Sequence, residues 1–389
     1  MIRQLSKKGL LKEIKKIDID KEAINIFDKK SIYLFLKIEN ISIAFANIIK
    51  QASISFGADF AVHRDTITGK IEKTDGIWFG NKRHLEKLIR YLKEQPWKGL
   101  QKIGEELKKY TKRKEKEIYI GRKKIISPVI MTILNTTPDS FYDGGKYNNI
   151  DRAIKRIEET IEYTDILDIG GESTRPGAEP VDKETELRRT IPFIKEIKKK
   201  FPKIIISIDT YKPSIARQAI EEGAEIVNDI SGLSIQDKMI EVLSEYKDKI
   251  SYVLMHIKGT PKNMQKNPFY ENVVKEIYSF LKEKSSLLEE KGIKNIIIDP
   301  GIGFGKRVKD NLEIISRLEE FKEIGYPLLI GISRKSFIGF TLNIDVGKRL
   351  IPSIGVAIYS FLKGADIIRT HDPEQTFRTL SLIKEIENV

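Results

Sequence analysis

The sequence predicts an α/β protein, a (β/α)8 TIM barrel preceded by a small α+β N-terminal domain. Three observations carry that expectation. From Glu117 onward, short apolar runs of strand length alternate with helical patterns in roughly eight β/α units, which fits a closed parallel barrel. Nearly every apolar run opens into a polar loop at its C-terminal end, whereas an open doubly wound sheet would gather such loops at one crevice. At 389 residues the chain is also long for a barrel alone, which suggests an added unit. The expected division is residues 1–116 and residues 117–389.

Within the first part, residues 1–30 are charged, with Leu10, Leu11, Ile14 and Ile17 able to form a short helix face. Ser31–Ile38 reads as a strand, Ala44–Ser55 as a helix and Gly57–Val62 as a strand. Thr66–Ile71 and Gly76–Phe79 are further strand candidates, and Asn81 caps a helix that Pro96 stops. The order is ferredoxin-like. His63-Arg64-Asp65 reads as a turn, and Gly99–Lys116 as a basic helical connector ending at the domain boundary.

In the second part, Glu117–Ile120 and Lys123–Ile126 suggest a hairpin ahead of the strand that begins at Val129. That strand runs into Asn135-Thr136-Thr137-Pro138-Asp139-Ser140, then Phe141, Tyr142, Asp143 and the hinge candidate Gly144-Gly145. Further strands are expected at Ile166–Ile169, Ile204–Ile208, Ile226–Asn228, Tyr252–Met255, Ile296–Ile298, Leu328–Ile332 and Asp366–Arg369. Helical patterns lie between them at Arg152–Tyr163, Glu184–Lys200, Pro213–Glu222, Val273–Lys291, Leu312–Phe321 and Ile351–Lys363.

Composition removes several function classes. With no cysteine, disulfides, thiolate catalysis and Cys-zinc sites are excluded. The four histidines, His63, His84, His256 and His371, show no metal-ligand spacing, so a metal is expected to be a hard cation held by oxygens. No apolar run is long enough to cross a bilayer and the lysine-rich start lacks a signal-peptide core, so the protein is expected to be cytoplasmic with no membrane partner. Residues 1–117 hold 27 Lys and Arg against 16 Asp and Glu, while the remainder is nearly balanced at 42 against 40. These lysines are scattered and not interleaved with aromatics, which reads as a solvated surface rather than a nucleic-acid site.

The strand ends carry the chemistry. Strand two ends in Asp168-Ile-Gly-Gly-Glu-Ser-Thr-Arg-Pro-Gly, strand three in Asp209-Thr210 and strand four in Asn228-Asp229. Strand five carries Met255-His256, and strand six Asp299-Pro-Gly-Ile-Gly-Phe-Gly-Lys306. Strand seven ends in Ser333-Arg-Lys335-Ser336 and strand eight in Arg369-Thr-His371-Asp372. The Gly301–Lys306 run is neither a Rossmann fingerprint nor a P-loop, because its glycine spacing is wrong and Lys306 precedes Arg307. Its glycines are expected to let the backbone pass close to a flat ring.

In this order the strings resemble the dihydropteroate synthase family, from about residue 125 to the end. Thr132, Thr136 and Tyr142 depart from the usual residues, which touches loop packing only. The resemblance implies condensation of p-aminobenzoate with 6-hydroxymethyl-7,8-dihydropterin diphosphate, release of pyrophosphate, Mg2+ as cofactor and a homodimer. It implies a pterin site of Asp168, Asp209, Asn228, Met255, Asp299, Phe304, Lys335 and Arg369, where a carboxylate and an amide read the ring edge in paired hydrogen bonds. Phe141, Thr174, Arg175, Pro176, Lys335 and Ser336 would take p-aminobenzoate. Asn135, Thr174, Arg369 and His371 would take the diphosphate, with Asn135 the metal ligand, and Asp143, Lys335, Arg369 and His371 would be catalytic. Gly144-Gly145 and Gly170-Gly171 are expected to leave the first two loops loosely fixed. Two alternatives remain open: a methyltetrahydrofolate-dependent methyltransferase on the same barrel, and a non-catalytic pterin-binding protein.

Overall fold

A computed structural model describes residues 2–17, 19–111, 118–121, 123–136, 149–173, 177–234 and 236–388. Expectations on Phe141, Tyr142, Asp143, Gly144-Gly145, Thr174, Arg175 and Pro176 lie outside them. The chain divides into two compact units, Met1–Glu115 and Lys116–Val389.

The first unit is built on a three-stranded antiparallel sheet of β1 (Tyr33–Ser42), β2 (Asp59–Val62) and β3 (Lys73–Asn81), in the order β1-β3-β2. This is the order of a ferredoxin-like unit without its fourth strand among the described residues. Buried Phe60, Trp78 and Leu36 pack against Ile49, Leu85, Leu88 and Leu92 of the helices Ile43–Ser55 and Lys82–Glu94. The second helix starts where expected, with the Asn81 side chain accepting from the amide of His84.

Two expectations change here. Thr66–Ile71 is not a strand: a short 3-10 turn over Arg64–Thr66 leads into a bend in which the Thr68 hydroxyl donates to Asp65 O, and Gly69 adopts a φ of 71°. The segment after Gly99 is no mere connector either. The helix Lys98–Leu107 buries Leu100 and Leu107 in the unit's core, so the module extends through it.

In the second unit a hairpin of β4 (Ile118–Ile120) and β5 (Lys123–Ile125) precedes eight parallel strands. These are β6 (Val129–Asn135), β7 (Ile166–Gly170), β8 (Ile205–Asp209), β9 (Ile226–Asp229), β10 (Ser251–Met255), β11 (Ile296–Asp299), β12 (Leu329–Gly331) and β13 (Ile367–Thr370). Their order is β11-β10-β9-β8-β7-β6-β13-β12, and a parallel bridge between Ile298 and Leu328 closes the barrel. The helix expected at Leu312–Phe321 is instead Val308–Ser316 followed by a 3-10 stretch over Leu318–Ile324.

Side-chain alternation along these strands sets up the site. Val129, Met131, Ile166, Ile205, Ile226, Val253, Ile297, Leu329 and Ile367 pack with Ile118 and Ile120 of the hairpin in one buried cluster inside the barrel. Their neighbours Ile130, Leu167, Ile206, Val227, Leu254, Ile298 and Ile368 pack in a separate, larger core that includes the helices. Counting on by two from the inner cluster reaches Asp168, Ser207 and then Asp209, Asn228, Met255, Asp299 and Arg369. Apart from β10 and β12, which reach Met255 and Gly331, the strands are therefore apolar inside at the start and polar inside at the end, which is a packed barrel with its chemistry at the C-terminal mouth.

Candidate active site at the barrel mouth

Arg369 is the centre of the mouth. Its Nε donates to Asp168 Oδ2 and its Nη2 to Asp209 Oδ2, each at 2.7 Å. The Asn228 amide donates to the same Asp168 oxygen at 3.2 Å. Asp168, Asp209 and Asn228 are all buried. One guanidinium thus bridges two carboxylates, in the planar geometry that arginine and not lysine provides. Burial pushes the Asp209 carboxyl up from its ordinary value, while the Arg369 charge opposes that shift.

Asp299 is buried across the mouth, and its Oδ1 accepts from the Gly301 amide at 2.7 Å. Burial raises its pKa, with that hydrogen bond and the charges of Lys335, Lys306 and Arg369 acting the other way. Lys335 donates to Ile302 O at 2.5 Å and lies 4.2 Å from the centroid of the Phe304 ring. Burial brings its pKa down to about 8. Phe304, Met255, Met264 and Ile230 form a buried apolar cluster beside these polar groups. The mouth thus offers a flat, partly apolar ligand an amide, carboxylates and two cations.

Lys335 owes its place to a residue in an unusual conformation. Arg334 has a φ of 54°, uncommon outside glycine. The Asp372 carboxylate accepts from Arg334 Nε at 3.0 Å and from Nη2 at 2.5 Å, and the Arg334 amide donates to Ser353 Oγ at 2.9 Å. The Ser333 hydroxyl accepts from the His371 amide at 3.2 Å, joining the seventh and eighth loops. Burial and the neighbouring Arg369 bring the His371 pKa down to about 4, so the ring is neutral near pH 7.

Ser336 starts the helix Ser336–Leu342 and, with Gln265, Gly303, Lys306, Arg307 and Phe337, borders a cavity of about 520 Å³. Asn135 ends β6, and its Oδ1 and Asp209 Oδ2 would lie 3.9 and 3.7 Å from a Cβ placed on Gly170. Glycine there keeps the space between the two oxygens open. Thr136 ties this corner down, its amide and hydroxyl both donating to Gly170 O.

The glycines also set how the loops pack. A Cβ at Gly301 or Gly305 would collide with His256 O or Lys258 O, so these positions allow the sixth loop to lie against the backbone of the fifth. Gly170-Gly171 is no loose hinge. Gly170 lies within β7, Gly171 packs against Thr190, and Arg189 donates to Gly171 O. Just beyond, Lys212 donates to Glu172, Glu186 and Val181 O, each at 2.5 Å, which pins both sides of the second loop.

Sequence reasoning passed over Lys212, Glu186, Arg334 and Asp372, whose roles depend on contacts between separate loops. It weighed Lys306 only as a P-loop lysine and gave it no other role. Among the described residues, no group of three or more His, Asp or Glu could hold a metal.

Parallel strands whose C-terminal ends present buried carboxylates, an amide and cations to one mouth define a ligand-binding barrel, and the chain belongs to the pterin binding enzymes, whose family model matches residues 131–371. Its relatives within that family are dihydropteroate synthases. The synthase of Clostridium beijerinckii is 44% identical over 271 residues, covering 69% of this chain and 96% of that protein. A bifunctional dihydropteroate synthase/dihydropteroate reductase of Helicobacter pylori is 34% identical over 390 residues, covering 100% of this chain and 99% of that one. Among solved structures, the Xanthomonas albilineans synthase with 4-aminobenzoic acid has a TM-score of 0.65 and 35% identity, over 70% of this chain and 98% of that one. The resemblance read from the loops and the barrel expected from the strand pattern are both borne out.

Proposed function

We infer that this protein is a transferase of folate biosynthesis, a dihydropteroate synthase that condenses p-aminobenzoate with 6-hydroxymethyl-7,8-dihydropterin diphosphate to 7,8-dihydropteroate and pyrophosphate. Beside family membership, the observation that carries the reading is the convergence of Asp168, Asp209, Asn228, Asp299 and Arg369 at one mouth. The aromatic amine nitrogen bonds to the methylene carbon on the pterin, the C–O bond to the diphosphate breaks with its electron pair on oxygen, and the amine loses a proton. An aromatic amine is unprotonated at neutral pH, so the demand falls on the departing diphosphate and not on a strong base.

In this reading Asp299 and Asn228 take the donors and acceptors of the pterin edge, Lys335 lies beside the ring, and Met255 and Phe304 form its apolar bed. Asp168 and Asp209 hold Arg369 through Nε and Nη2, which leaves Nη1 to face the diphosphate. Neutral His371 adds a single N–H donor. Mg2+ fits beside Asn135, where one amide oxygen and an open glycine face suit a cation that takes most of its oxygens from phosphate and water. When bound it supplies charge neutralisation on the leaving group. Ser336, on the rim of the cavity, suits the carboxylate of p-aminobenzoate.

A second activity enters through the first unit. The Helicobacter pylori relative, aligned across the whole chain, is also named a dihydropteroate reductase. We extend that activity to this chain as reduction of the N5=C6 bond of dihydropteroate by a hydride donor of the reduced nicotinamide or flavin class, with a proton from solvent. Both activities can be followed together in the full chain and in a form beginning at Lys116. The full chain is expected to release pyrophosphate only with p-aminobenzoate present and to reduce the product. The shortened form is expected to keep the first activity and lose the second. Release that ignores p-aminobenzoate sinks the synthase reading, and equal reduction by both forms sinks the assignment of the reductase to the first unit.

We also place the protein in the cytoplasm as a homodimer. Among the described residues no helix is long and apolar enough to cross a membrane. On the barrel's last helices, Leu350–Leu362 and Pro373–Asn388, Ile351, Leu362, Leu382 and Ile386 are exposed, an apolar surface that a second copy would cover. Light scattering is expected to give twice the 44.7 kDa chain mass, and Ile351→Lys with Leu382→Lys to halve it. A monomer in the unaltered protein removes the dimer.

A further inference from the structure

Lys306 is a buried lysine that belongs to no ion pair among the described residues, and burial holds its pKa well below the usual lysine range. It is 3% exposed, and its ammonium is surrounded by His256 Nδ1 at 3.1 Å, His256 O at 3.2 Å and Phe304 O at 2.9 Å. These three acceptors match the three donors of an ammonium group, provided that His256 carries its proton on Nε2. The histidine is suited to that part. Burial and the Lys306 charge bring its pKa down to about 2, so it stays neutral and accepts.

The three bonds join two loops. His256 follows β10, and Phe304 and Lys306 follow β11. Around them the backbones are already in contact, since Gly301 abuts His256 O and Gly305 abuts Lys258 O. Gln265 adds a bond from the fifth loop to Gly303 O at 2.8 Å. The segment held in this way supplies both of the partners noted for Lys335, the Ile302 carbonyl and the Phe304 ring.

We propose that Lys306 is a positioning residue for the synthase reaction: by tying the β11 loop to His256, it fixes Ile302 and Phe304, and through them the ammonium of Lys335 at the pterin site. The proposal rests on the synthase reading and assigns Lys306 no contact with substrate. Loosening the loop admits water around Lys335, and desolvation is the largest influence lowering that group's pKa to about 8. The charges that act on Lys335 are Asp299 and Asp209, which raise its pKa, and Arg369, which lowers it.

The test compares Lys306→Met, His256→Leu and His256→Asn in the full chain, with kcat and KM for pterin diphosphate measured across pH. Asparagine places an acceptor oxygen where histidine has Nδ1, so it keeps the clamp, whereas leucine removes that acceptor. Unaltered protein is expected to lose activity as the pH rises through about 8, the value for Lys335. Lys306→Met is expected to raise KM about tenfold or more and move this alkaline limb upward. His256→Leu should do the same more weakly, and His256→Asn should stay close to the unaltered enzyme. An unmoved limb and KM in folded Lys306→Met overturns the proposal. If that variant does not fold, equal KM in the two His256 variants overturns it. A parent enzyme without p-aminobenzoate-dependent pyrophosphate release overturns the synthase reading itself.

Discussion

Arg369→Met is expected to abolish synthase turnover and to lower the unfolding free energy by about 3–5 kcal/mol, the usual cost of leaving buried charge without its partner. The substitution keeps the bulk of the side chain but removes the donors that bridge Asp168 and Asp209. Both carboxylates are buried, so water cannot replace the guanidinium. The loss should depend on pH. Asp209 already has its folded pKa raised by burial against the pull of Arg369, and removing Arg369 raises it further. A carboxylate raised in the folded state contributes stability below its unfolded pKa and loses it as pH rises through the folded one. The gap between variant and parent should therefore be widest at alkaline pH and narrow on acidification. Arg369→Lys should fall between them, because a point charge cannot bridge both partners. Urea unfolding across this range checks the result, and a Met variant as stable as its parent throughout would mean that the bridge contributes nothing to stability.

Asp299→Ala is expected to weaken binding of a pterin lacking phosphates about tenfold or more, the worth of a buried charge-assisted hydrogen bond. The Gly301 amide occupies Oδ1, which leaves Oδ2 as the oxygen open to a ligand donor. The substitution removes this acceptor and the anchor of the following loop together. Asp299→Asn separates the two, since its amide oxygen can still accept from Gly301 while the charge is gone. Calorimetry with 6-hydroxymethylpterin should rank parent above Asn above Ala. Unchanged affinity in a folded Ala variant would remove Asp299 from the pterin site.

The sequence by itself determined the barrel and the level at which its chemistry lies. A strand alternates its side chains by its own geometry, so Ile166 before Asp168, Ile226 before Asn228, Ile297 before Asp299 and Ile367 before Arg369 already state an apolar interior and a polar rim. Local turn chemistry also marked Asn81 as a helix cap. It failed at Thr66–Ile71, where β-branched residues suggested a strand but the bend at Gly69 prevails. At Lys98–Leu107 it marked a helix but not that helix's place in the first unit's core, which no local pattern records.

Only the tertiary structure decided which groups meet. Arg369 and Asp168 are 201 positions apart and become partners because closure places β6 between β13 and β7. Likewise, Gly301 and Gly305 let one loop backbone lie against another, and two of the three Lys306 acceptors are on His256, 50 positions back in the chain. Periodicity is a property of each strand alone, whereas hydrogen bonds and ion pairs depend on distances that exist only once the barrel has closed.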